Sequence, residues 1–172
     1  VGIVVEAFDL CERPAPACRV DLPTWTPALC RVRCVARAID TKLGLRSCLG
    51  PIGPVCVFGP NNFPAAFGSI SGGDFAAAFA AGNPVMAKAN SSHPGTTRLF
   101  AEAAQAAAGQ CDLPPGSVQL IYRTEHADGE RMVTDPRVGA TGYTGSRPAG
   151  LKLKSAADAA GKPIYLELSS SN

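Results

Sequence analysis

Four short stretches of the chain carry side chains that could do chemistry. Lys88 closes the apolar run Pro84 to Ala89, where an ammonium is costly unless it reaches solvent or a ligand. Two readings stay open for it: a lysine that snorkels out of a sheet, or a donor to the ribose hydroxyls of an adenosine nucleotide. Asn61 and Asn62 follow the run Pro54 to Phe58. A carboxamide fixed there could donate to a developing oxyanion, although on spacing alone an Asx turn into the next helix is the better reading. Gly145-Ser146-Arg147-Pro148 joins an apolar run to an Ala-rich segment; it is either a plain helix cap or a turn whose free amides and helix dipole hold a phosphate. Glu167 stands inside Ile164-Tyr165-Leu166-Glu167-Leu168. Partial desolvation in a buried strand would raise its carboxyl pKa toward the range of a general base; a structural ion pair with Lys or Arg is the alternative.

Such groups act together only if the chain brings them to one edge. Five short apolar runs have strand length: Pro54 to Phe58, Pro84 to Ala89, Val118 to Tyr122, Gly139 to Thr144 and Ile164 to Leu168. Each is mostly apolar on both parities, as a strand covered on both faces should be. Between them lie Ala65 to Ala81, Thr96 to Ala108, Gly129 to Thr134 and Pro148 to Ala159, rich in Ala with apolar positions three and four apart. Gly82 and Gly109 suit helix C-termini and Pro94 suits a helix start. Strand and helix in alternation require crossover connections and hence a parallel sheet. The expected fold is a doubly wound, Rossmann-like α/β domain with five parallel strands, whose ligands bind beyond the carboxyl ends of the strands. All four stretches fall there. Residues 1–50, with Pro14, Pro16, Pro23, Pro27 and most of the Cys, show no period and are expected to be an irregular N-terminal segment before a nucleotide-binding domain at 51–172.

Composition removes several alternatives. With 46% apolar and 17% charged residues, the 172-residue chain is globular rather than solvated and disordered. A net charge of +2 gives no electrostatic surface for nucleic acid and no polybasic membrane anchor. Polar or turn-forming residues interrupt every apolar run before it reaches a membrane-spanning length, so no membrane partner is expected. Seven Cys, an odd number without a CxxC pair, fit a reducing compartment and a cytoplasmic location better than a disulfide scaffold. Cys30 and Cys34 lack further ligands nearby, so no metal is expected. There is no GxGxxG fingerprint, no P-loop (Leu151 stands where Lys is required), no GxSxG elbow and no HExxH helix. His93 and His126 lie in turn-like segments and read as exposed or capping residues. The Asn90-Ser91-Ser92 sequon follows the strand end at Lys88 and reads as a chance match.

The strand ends, taken in order, resemble the aldehyde dehydrogenase superfamily. The pieces are GPVCVFGPNNFP, GNPVMAKANSSHPGTTRLFAEAA, LPPGSVQLIY, DPRVGATGYTGSRPAGLKL and PIYLELSSSN, across residues 51–172. NNFPAAF, SGGD, AAGNPV, HPGTT and GYTGSR look most like the branch that oxidises 2-oxoglutarate semialdehyde (2,5-dioxopentanoate).

The resemblance implies roles. Asn62 matches the amide that forms half of the oxyanion hole, and Glu167 the base that activates the deacylating water. Lys88 matches the ribose-binding lysine, and Gly145 and Ser146 the turn near the pyrophosphate. Phe58, Pro60, Asn61 and Leu168 match positions at the nicotinamide end. Ser91 falls where NAD-preferring members often carry Glu. A small neutral side chain does not repel a 2′-phosphate, so the cofactor is expected to be NADP or NAD. The reaction implied is NAD(P)-dependent oxidation of a small aldehyde to its acid through a Cys thioester, in a full-length protein that is a homo-oligomer. In the family the nucleophilic Cys lies a few dozen residues after the base. All seven Cys here precede Glu167, so the expectation is a nucleotide-binding portion cut before its catalytic domain and inactive alone. Two alternatives accompany this: a non-catalytic nucleotide-binding module, and an acyl-phosphate or acyl-CoA reductase of the same superfamily, which would not need Glu167.

Overall fold

The computed structural model describes residues 51–169, together with the backbone of residues 37–40 and 45–47. Strands β1 (Arg37–Asp40) and β2 (Leu45–Ser47) form a two-stranded antiparallel sheet inside the stretch whose sequence shows no period. The main sheet holds β3 (Val55–Phe58), β4 (Val85–Lys88), β5 (Val118–Ile121), β6 (Ala140–Gly145) and β7 (Ile164–Leu168). Its order is β5-β4-β3-β6-β7, parallel throughout. The helices are α1 (Pro64–Phe67), α2 (Gly73–Ala80), α3 (Pro94–Gln110), α4 (His126–Thr134) and α5 (Arg147–Ala159). The expected doubly wound α/β sheet is present.

Register divides the side chains between two faces, because in-register partners of a parallel sheet point the same way. Val55, Val57, Val85 and Ala140 face α2 and pack with Phe75, Ala78 and Phe79. Ala87 and Val118 extend that face beneath Ala101 and Ala104 of α3. On the other face Cys56, Phe58 and Tyr143 meet Val133 of α4 and Leu153 and Ala157 of α5. The stripe Gly150, Leu153, Ala157 on α5 has the three- and four-residue spacing of a single buried helix face. Each buried Val or Leu contributes about 1.5 to 3 kcal/mol of transfer free energy, which is what holds the sheet between its two helix layers.

Three expectations need correction. The helix expected over Ala65 to Ala81 is two helices, because Gly68 and Gly72 let the backbone close on itself and Ser71 Oγ donates to Pro64 O at 2.6 Å, fixing a turn. Gly109 does not end a helix: α3 runs through it, and Asp112 takes the left-handed conformation instead (φ 53°), which Asp tolerates better than most residues. Gly82 does occupy such a position, with φ 84°. Finally, β7 is not covered on both faces. It is the sheet edge, Tyr165 is 46% exposed and Glu167 is exposed, so the desolvation expected for that carboxylate is not seen.

No helix among the described residues is long and apolar enough to cross a membrane.

Candidate active site

Five carboxyl ends of parallel strands share one rim, and the order of the sheet reverses between β3 and β6. That reversal opens a crevice, because the connections leaving the two strands depart to opposite faces. The loop after β3 carries Pro60, Asn61 and Asn62; the turn out of β6 is made by its last residue, Gly145, and by Ser146. Both stretches singled out by chemistry therefore flank the crevice.

Lys88 pairs in register with Phe58, which pairs with Tyr143 two residues before Gly145. Lys88 is half-buried, with its ammonium outside every ion pair among the described residues. Gly145 pairs with Leu168. Phe58, Lys88, Gly145 and Leu168 thus lie on the α4/α5 face, while Glu167, in register with Thr144, lies on the α2 face. The rim, rather than one face, is what they have in common, and a bound group reaching both must cross it beside Asn61 and Asn62.

The turn after β6 is built by close packing. Tyr143 is buried, its ring 6.1 Å from that of Phe58, and its hydroxyl donates to Ser146 O at 3.0 Å. A Cβ on Gly145 would stand 2.8 Å from that hydroxyl oxygen, so only glycine lets Tyr143 anchor the turn. Ser146 then starts the 13-residue α5 without a side-chain cap and without an acid in the first turn. The first amides of α5 point outward unsatisfied, in the positive end of the helix dipole, and suit a phosphate. A nucleotide fits this rim: a glycine-lined turn, an uncapped helix start and an unpaired lysine lie within three neighbouring strands.

Asn61 and Asn62 are exposed, and neither side chain makes a hydrogen bond among the described residues. The Asx turn expected from spacing does not form, so the carboxamides are available to a ligand. Pro60 is buried, Ser91 is exposed and Leu168 is half-buried against Gly150. Among the described cysteines, Cys56 is fully buried, and burial together with the Asp135 charge pushes its thiol up to about 12. That sulfur is not a nucleophile at neutral pH. Cys111 is exposed at the far end of α3.

Sequence reasoning missed the roles of four residues. Asp74, the second residue of α2, turns its carboxylate onto β6: a Cβ on Gly142 would stand 2.8 Å from Oδ2. Asp74 is exposed as a residue, but partial desolvation of its carboxylate against β6, reinforced by the charge of Glu167, holds it above the ordinary carboxylate range. The pattern Gly72-Gly73-Asp74 was the available signal. Tyr143 was hidden in an apolar run. His93 and Asn90 reach into the loop after β3, a connection that depends on tertiary structure; His93 is half-buried at the N-cap position of α3 and His126 is exposed at the start of α4, the capping and exposed places expected of them.

A shallow cavity of about 300 Å³ lies at the opposite rim, lined by Pro54, Gly82, Asn83, Pro114 and Ser117 among others. It shares no residue with the crevice.

Comparison with known proteins agrees with the fold. A family profile described as the aldehyde dehydrogenase family matches residues 38–172. Alpha-ketoglutaric semialdehyde dehydrogenase 2 of Azospirillum brasilense is 45% identical over 123 residues, covering 70% of this chain and 23% of that protein. Alpha-ketoglutaric semialdehyde dehydrogenase of Acinetobacter baylyi is 39% identical over 133 residues, covering 76% and 25%. The crystal structure of an NADP complex of glyceraldehyde-3-phosphate dehydrogenase from Methanocaldococcus jannaschii superposes with a TM-score of 0.64 at 28% identity, over 72% of this chain and 26% of that one. The chain spans about a quarter of the length of the curated relatives it matches.

Proposed function

The chain belongs to the aldehyde dehydrogenase family, and from that premise we propose that it forms the nucleotide-binding part of an enzyme oxidising 2-oxoglutarate semialdehyde to its acid with NADP or NAD. The observation that carries the reading is the rim at the β3/β6 reversal, where a carboxamide and a lysine without hydrogen-bond or ion-pair partners among the described residues, an uncapped helix start and an exposed carboxylate come from adjacent strands. The names of the two relatives support the choice of aldehyde.

In this reading Lys88 donates to the ribose hydroxyls, and the first amides of α5 beyond Gly145 and Ser146 hold the pyrophosphate. Ser91 offers neither charge nor bulk against a 2′-phosphate. Phe58, Pro60, Asn61 and Leu168 would line the nicotinamide end, where the bound cofactor would supply the acceptor for the hydride leaving the substrate carbon. Asn62 donates its side-chain N–H to the oxyanion formed when a Cys thiolate adds to the aldehyde carbon; this reading takes that thiol from sequence beyond Asn172. Water then attacks the resulting thioester while Glu167 accepts its proton, which frees the acid and the thiolate. The exposure of Glu167 suits this step, since the water reaches it directly. A homo-oligomeric complete enzyme and a cytoplasmic location belong to the same proposal.

The test is steady-state turnover by the complete polypeptide containing these residues, with several semialdehydes and both cofactors. The reading expects acid formation to be fastest with 2-oxoglutarate semialdehyde and to fall at least a hundredfold in Glu167→Gln, the loss of a general base. Hydrolytic turnover unchanged in that variant would remove Glu167 as the base, and thioester transfer to phosphate or CoA in place of water would replace the reading with the acyl-phosphate or acyl-CoA reductase one.

A further inference from the structure

Asn90 and His93 stand three residues apart in the turn between β4 and α3, and the reaction above uses neither. Asn90 Nδ2 donates to Gly59 O at 3.2 Å, and His93 Nε2 lies 3.2 Å from Pro60 O. A carbonyl oxygen only accepts, so Nε2 carries the proton in this contact; Nδ1 is buried without a partner among the described residues. Asn90 is itself held in place. Its Oδ1 accepts from Ser92 N at 3.0 Å and its carbonyl from His93 N at 3.3 Å. The two carbonyls that receive these bonds are consecutive, and Asn61 and Asn62 follow immediately. The loop that begins at Lys88 and contains Ser91 is therefore stitched by two side chains to the loop that carries the oxyanion amide.

The sheet does not require this stitch. β3 and β4 are already joined over four register pairs, and carbonyls at an open rim can be satisfied by water. What the two bonds add is a mechanical link between loops that would otherwise move independently. We propose that Asn90 and His93 are positioning residues that couple nucleotide occupancy at Lys88 and Ser91 to the placement of Asn62. A nucleotide that restrains residues 88–93 then also restrains Gly59 and Pro60, and the Asn62 amide becomes ordered once the cofactor is present. The coupling rests on the nucleotide reading of Lys88 and Ser91, and it is reciprocal, as any linkage between two sites must be.

Amide hydrogen exchange at Asn61, Asn62 and Phe63, followed by NMR on this chain with and without saturating NADP⁺, tests the coupling. In the unaltered chain NADP⁺ should slow exchange at these amides about fivefold or more. In the Asn90→Ala/His93→Ala double variant NADP⁺ should still shift the Lys88 amide but leave exchange at Asn61 to Phe63 unchanged. His93→Gln, whose amide nitrogen can reach the Nε2 position, should restore part of the slowing, which a merely structural histidine would not predict. If the double variant does not fold, the two single variants carry the same comparison. Equal slowing in variant and parent overturns the coupling, as does NADP⁺ binding without slowing in the parent. Absence of NADP⁺ binding by the parent overturns the coupling together with the nucleotide reading.

Discussion

Replacing Gly59 with Ala places a methyl group where the chain after β3 passes under the α1–α2 turn. The new Cβ would stand 2.5 Å from Ser69 N and 3.0 Å from the Cα and carbonyl carbon of Gly68, against an ordinary contact of 3.4 Å or more. The closest pair must therefore separate by about 0.9 Å, and both partners are backbone, so no side chain can swing aside. β3 cannot give way, since it is paired over four residues with β4 and four with β6. The α1–α2 turn must lift instead, taking with it Ile70, which is buried against Ala87 and Val118. Overpacking of this kind costs about 1 to 3 kcal/mol, and the rigidity of both partners puts Gly59→Ala near the upper end. Gly109 supplies the internal control: it lies within α3 with nothing within 4 Å of a new Cβ, so Gly109→Ala should gain roughly 0.5 to 1 kcal/mol from helix propensity. Urea unfolding separates the two. With a slope of about 2 kcal/mol per molar, the Gly59→Ala midpoint should fall by about 1 M and that of Gly109→Ala should rise by a few tenths. A Gly59→Ala midpoint within about 0.3 M of the parent would refute the steric reasoning.

Three further outcomes follow from the same geometry. At pH 8 a Cys56 thiol pushed to about 12 is ionised to about one part in ten thousand, so an alkylating reagent with peptide mapping should mark Cys111 and reach Cys56 only on unfolding; equal labelling of the two in the folded chain would contradict the burial. Because the folded pKa of Asp74 is raised, its contribution to stability is full below the unfolded value and is lost as pH rises through the folded one. Asp74→Asn should therefore gain stability relative to the parent as pH rises above the unfolded carboxylate pKa, read as urea midpoints of the two proteins at a series of pH values; a relative loss over that rise would contradict the raised pKa. Under the proposed function, Ser91→Glu should weaken NADP⁺ binding at least tenfold relative to NAD⁺ through repulsion of the 2′-phosphate, and an unchanged ratio would remove Ser91 from the cofactor site.

The sheet was legible because burial on both faces leaves a simple mark: runs such as Val55-Cys56-Val57-Phe58 are apolar at every position, and no other element of that length needs to be. β7 misled for the same reason. Its apolar residues alternate with Tyr165 and Glu167, and whether that pattern lies at the centre of a sheet or at its edge is decided by strand order, which a single run does not encode. The split between α1 and α2 was masked by alanines on both sides, while the signal for it, Gly68 and Gly72 spaced by a turn, acts through backbone approaches visible only once the chain has folded. The positions of Asn62, Lys88, Gly145 and Glu167 at strand ends followed from the alternation of elements. Their division between the two faces followed from register, and the ties from Asn90 and His93 to Gly59 and Pro60 join residues more than thirty apart. No local pattern announces contacts of that kind.

The central claim is that the strand ends around the β3/β6 reversal hold a dinucleotide. Backbone amide shifts of the chain, recorded as NADP⁺ or NAD⁺ is added, test it most directly. The account predicts saturable shifts at Asn61, Asn62, Lys88, Ser91 and Gly145 to Arg147. Shifts confined to Gly82, Asn83, Gly116 and Ser117 around the opposite cavity, or no shifts at millimolar nucleotide, would contradict it.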